Sequence, residues 1–141
     1  MTSRRVLVAV SAAQLAAGAA GQVVALREGR SFDIALLGRR GSPERVGRDS
    51  WLLGTGLSAP VLMLSVHVVA TVRLAAGPSR GATRVLGSLG AMMTCGYLIE
   101  KEVRGALSPA GRNPTTTPVA AAGLTLAVTM AVLGLRQASR S

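Results

Sequence analysis

The stretch "GYLIEKEVRGALSP", Gly96 to Pro109, begins as apolar as a membrane segment and then sets Glu100, Lys101, Glu102 and Arg104 within five residues. Fifteen uncharged residues separate Arg84 from Glu100, fewer than the roughly 20 helical residues that cross about 30 Å of hydrocarbon. A spanning helix here has to continue through the charges to about Leu107, where Ser108, Pro109 and Gly111 stop it. That continuation carries Glu100 to the interfacial zone. Arg104 follows one turn later, in the acid-first order that favours an ion pair. Glu100 is then either the neutralised end of a helix or a working acid.

Three more apolar blocks accompany this one: Val6 to Leu26, Trp51 to Leu74 and Pro118 to Leu135. Half of the 141 residues are apolar (49%), the mean hydropathy is +0.42, and only three side chains are aromatic. A soluble domain of this length would need more charge outside and larger side chains inside. The expectation is an all-α integral membrane protein, a compact four-transmembrane-helix bundle in one domain, residues 1–141. Its spans lie at about 6–26, 51–74, 85–104 and 118–135, with an interfacial loop at 27–50. Pro60 falls inside the second block and predicts a kink. In "TTTPVAAAG", Thr117 is expected to cap the fourth helix with Pro118 at its first position.

"TSRRVLVAVSAAQLAAGAAG" also has the layout of a secretory signal, but its apolar run continues to Leu26, and we read it as the first span. Basic residues orient the bundle. Arg4 and Arg5 directly precede the first span and the side of the termini is short and arginine-dense, so both termini are expected in the cytoplasm. The preference for arginine over lysine, with abundant alanine and glycine, is the composition expected of a bacterial chain. The net charge of +10 comes from fifteen arginines and one lysine. They cluster at helix ends without interleaved aromatics, so anionic lipid headgroups account for them and nucleic acid does not.

All six acids (Glu28, Asp33, Glu44, Asp49, Glu100, Glu102) and all three aromatics (Phe32, Trp51, Tyr97) fall at the end opposite the termini. That asymmetry points to a working mouth. Tyr97 lies one turn deeper than Glu100 and is either an interfacial anchor or a partner for the carboxylate. Trp51 is an interface anchor or a substrate contact, and Asp49 or Ser50 suits the cap before it. "SFDIALLG" is too short to span and is expected to lie on the bilayer or fold over the mouth as a lid, with Phe32 on lipid or bundle and Asp33 directed elsewhere.

Within the first span, Ser11, Gln14, Gly18 and Gln22 recur at helical spacing and have to face neighbouring helices or a cavity. Gly87, Gly90, Ala91 and Gly96 permit close approach in the third. His67 and Cys95 each stand alone in their type, so a metal site, disulfide or Cys-x-x-Cys chemistry has no visible ligand set. Phosphate-loop, dinucleotide and serine-hydrolase motifs are also missing from the sequence. Multidrug export coupled to protons needs an acid inside the first span, where this chain has Gln14.

Two functional classes remain. One is a cofactor-independent isomerase or cyclase for an isoprenoid- or polyketide-like substrate. In it Glu100, Asp33 and Tyr97 exchange protons, and Trp51, Phe32 and Gln14 contact the substrate. The other is a non-catalytic accessory, immunity or scaffold protein of the membrane, acting with a protein partner or a second copy of itself.

Overall fold

Buried residues recur at alternating steps of four and three along the first and last helices, and this rhythm organises the bundle. A computed structural model describes residues 3–28, 33–34, 39–40 and 59–140. Helix α1 (Ser3–Glu28) buries Leu7, Ser11, Gln14, Gly18, Gly21 and Ala25. A short antiparallel pair follows, β1 (Asp33–Ile34) with β2 (Arg39–Arg40), in the register Asp33 to Arg40 and Ile34 to Arg39. Then come α2 (Val61–Ala76), α3 (Arg80–Ile99), α4 (Lys101–Leu107), a 3-10 turn (Pro109–Gly111) and α5 (Thr116–Ser139). Helix α5 buries Thr116, Ala120, Gly123, Ala127, Met130 and Gly134. A 3.5-residue repeat keeps one stripe turned to a neighbour over many turns.

Most residues of these stripes are small, and where glycine stands the helices come close. Helices α3 and α5 form the central pair, α1 lies against α5 and α2, and α2 also touches α3. A methyl group placed on Gly90 would stand 2.5 Å from the backbone nitrogen of Ala131, and one on Gly87 would stand 2.8 Å from that of Leu135. From the other side, a methyl on Gly134 would meet the Cα of Gly87 at 2.5 Å. The two backbones are in direct contact, as small-residue helix pairs allow. Gly96 takes no part in this seam and faces open space, contrary to the expectation from its composition.

Three boundaries differ from those the sequence suggests. Pro60 does not kink a helix. It sits at the N-cap of α2 with extended backbone (φ −52°, ψ 142°), and its carbonyl accepts from the Leu64 N–H at 3.0 Å. Residues 51–58 of the second block lie outside the described residues. At the start of α5 the cap is Thr115, and the Asn113 carboxamide oxygen accepts from the N–H groups of Thr115 and Thr116 at 2.8 and 3.4 Å. Thr117 instead donates its hydroxyl to the Ala106 carbonyl at 2.8 Å, tying the end of α4 to the start of α5.

The largest difference is at Glu100, where the expected continuous helix breaks. Its backbone is extended (φ −73°, ψ 123°), ending α3 and starting α4. The break costs few hydrogen bonds: the Glu100 N–H still donates to Gly96 at 3.0 Å, and its carbonyl accepts from Arg104 at 3.2 Å. Turning the chain there brings α4 back onto α5 and buries Val103 and Ala106. The stop at Ser108, Pro109 and Gly111 is as the sequence implies.

The result is an all-α bundle of five described helices. Of these, α1 and α5 are long and apolar enough to cross a membrane, while α2 is apolar but has 16 residues. At one end the N-terminus of α1 meets the C-termini of α2 and α5, since Arg4 donates to Leu74 and Gln137 donates to Ser3. The hairpin and α4 lie at the other end, where β1 contacts α4.

Candidate functional site

Helix geometry brings the buried polar groups together in two places along the seam. In the first, Ser11 of α1 reaches α2. Its Oγ lies 2.7 Å from His67 Nε2 and 2.6 Å from Thr71 Oγ1. The Thr71 hydroxyl is also 2.8 Å from the His67 carbonyl, the i−4 acceptor on its own helix. His67 is fully buried, and its Nδ1 has no partner. A lone histidine gives no metal signal in the sequence, and here the ring serves as a polar core group. Its signal was available in the four-residue spacing of His67 and Thr71, which puts both on one face of α2.

A substitution tests this cluster. Ser11→Ala leaves both the imidazole and the Thr71 hydroxyl short of a partner, and we expect about 1 kcal/mol of lost stability in a lipid-like setting. Unfolding titrations in detergent measure it. The additional double variant Ser11→Ala, His67→Leu should lose less than the sum of the two single changes, because the orphaned ring is then gone. Strict additivity would sink the pairing.

The second place is formed by Gln14, Met93 and Tyr97. Gln14 is 1% exposed, with Nε2 at 3.7 Å from Met93 Sδ. Its side chain also lies beside Tyr97, and its Oε1 has no partner. Tyr97, 7% exposed, lays its hydroxyl over Gly123, where a methyl group would come within 2.6 Å. Tyrosine and glutamine therefore meet inside the bundle, with α5 shaped to receive the ring. Oε1 of Gln14 and of Gln22 are buried acceptors without a donor, the kind of atom that a hydroxyl group or water would satisfy.

Glu100 is the third feature. Only 8% exposed, it occupies the break between α3 and α4. Asp33 stands in β1, the strand that contacts α4, so the fold brings its backbone to the same end as Glu100. Phe32 and Trp51 lie outside the described residues, as does most of the expected lid. Tyr97 and Gln14 belong together, one to two turns deeper than Glu100 along the seam. Among the described residues no three His, Cys, Asp or Glu side chains are grouped as metal ligands, and Cys95 is exposed.

Comparison with known protein families, characterised proteins and solved structures finds no match for this chain. Function therefore has to be argued from the geometry.

Proposed function

We propose that the protein is a four-span membrane protein of the bacterial cell membrane that moves protons on a lipophilic substrate, as an isomerase or cyclase. The observation that carries the chemistry is the burial of the Glu100 carboxyl at a helix break. A buried carboxyl group has to be held by hydrogen bonds or ion pairs, and the break places Glu100 at the junction of two helices while the flanking residues stay helical. In this reading Glu100 donates a proton, Asp33 or Tyr97 receives one, and Gln14, Phe32 and Trp51 contact the substrate. Unpartnered Oε1 of Gln14 would accept from a substrate hydroxyl.

The membrane setting is supported by the direction of the side chains. On α2, Leu62, Val66, Val69 and Val72 are exposed while His67 and Thr71 are buried. Apolar outside and polar inside is the pattern of a helix in lipid. On α3 the outward residues include Val85, Met92 and Leu98, so α2 and α3 join α1 and α5 as spans in this proposal. The non-catalytic accessory reading draws support from a different observation, the backbone contact between α3 and α5, which leaves no room for a substrate between those two helices.

Isomerisation and cyclisation conserve mass, and this supplies the test. Membranes of a host expressing the chain are extracted with organic solvent and compared with those of a host lacking it. The expected result is a species of unchanged mass and new chromatographic retention, with the protein retained in the pellet after alkaline carbonate washing. An unaltered extract from a membrane-embedded chain would leave the accessory role.

A further inference from the structure

At the end of the bundle that carries the termini, the stretches 1–6, 73–84 and 136–141 hold seven arginines and no aspartate or glutamate. A cavity of about 460 Å³ opens there, lined by Arg4, Leu74, Pro78, Ser79, Arg80, Thr83 and Gln137. We propose that this cavity seats the phosphate of an anionic membrane lipid between Arg4 and Arg80. The proposal rests on the membrane reading above and is independent of the proton chemistry.

Three observations carry it. First, the cavity wall combines two guanidinium groups with the hydroxyl-bearing residues Ser79 and Thr83, and no acid in the flanking stretches competes for the charge. Second, Arg4 is held in place: Nη1 donates to the carbonyls of Leu74 and Ala75 at 2.9 and 3.1 Å. Those two bonds engage Nη1 alone, and the Nη2 and Nε protons remain for a planar, two-point contact with phosphate oxygens. A side chain already fixed loses less freedom on binding. Third, α2 and α3, the helices that supply Leu74 and Thr83, also carry the exposed Val69, Val72 and Val85 on their outer faces, apolar surface open to acyl chains near this end. A free phosphate ion would use the guanidinium groups and leave those valines bare.

The full chain purified in mild detergent tests this by native mass spectrometry, titrated with phosphatidylglycerol, with phosphatidylcholine of the same acyl chains, and with inorganic phosphate. We expect preferential retention of one phosphatidylglycerol. Arg80 is exposed, so Arg80→Gln should fold normally and weaken that retention roughly five- to tenfold, the scale of one basic side chain at an anionic surface. Arg112→Gln removes the same charge at the opposite end and should change nothing. Equal retention of the two lipids, equal loss in both variants, or displacement by inorganic phosphate at matched concentration would each overturn the lipid site. Release of the chain from membranes by alkaline carbonate would instead mark failure of the membrane reading, so the two failures are distinguishable.

Discussion

Replacing Gly90 by alanine should destabilise the bundle by about 1 to 3 kcal/mol, and replacing it by leucine should prevent native packing of α3 on α5. The reason is what the new methyl would meet. At Gly90 the nearest atoms are the Ala131 nitrogen at 2.5 Å and the Ala127 carbonyl oxygen at 2.8 Å, both backbone, so no side chain can rotate away to make room. One helix has to move off the other, and the neighbouring contact of Gly87 with Gly134 and Leu135 goes with it. Gly96→Ala and Gly105→Ala are the matched controls. Both positions face open space, and both substitutions replace glycine within a helix, so each should be neutral or slightly stabilising. Unfolding in a mixed detergent series, followed by far-ultraviolet circular dichroism, ranks the variants. A Gly90→Ala protein as stable as Gly96→Ala would show that the α3–α5 backbone contact is absent.

Glu100→Gln should leave the bundle intact and remove mass-conserving product formation by roughly 10²- to 10⁴-fold, the usual loss when a positioned acid or base is deleted. Glutamine keeps the volume and can still accept and donate hydrogen bonds, so it can occupy the break. The backbone bonds kept on either side of the break, from Glu100 N–H to Gly96 and from Arg104 N–H to the Glu100 carbonyl, do not involve the carboxyl group. What glutamine cannot do is exchange a proton. The variant must therefore accumulate in the membrane at the parent level, with unchanged circular dichroism, for the result to count. Full activity in such a variant would remove Glu100 from the chemistry. Loss of accumulation together with activity would show instead that the carboxyl holds α3 and α4 in place, and would likewise end its assignment as the acid.

Much of the bundle is legible in the order of residues. The first and last helices, α1 and α5, stand out because long apolar runs with basic ends have few other uses, and the stop after Leu107 follows from serine, proline and glycine in sequence. Gly87 and Gly90 announce a close contact by their spacing. The buried line of Ser11, Gln14 and Gly18 follows from helical periodicity, which sets these side chains on one face of α1.

Other features are decided between segments. Glu100, Lys101, Glu102 and Arg104 are all good helix formers, so local preference favours one continuous helix through them. The chain breaks there because Val103 and Ala106 are buried only when α4 turns back onto α5. Gly96 reads like Gly90 along the chain, yet it lies on the other face of α3, where none of the described helices approaches. The His67 ring has no partner in its own helix, and Ser11, which supplies one, is 56 residues away. Tyr97 could equally anchor an interface or enter the core until Gly123 leaves space for its ring and Gln14 a polar neighbour. Periodicity and composition determine which face of each helix is buried, because those are properties of a single helix in its surroundings. Which residue meets which is set by the packing of separate helices, and that is where the break at Glu100 and the pairing of Ser11 with His67 arise.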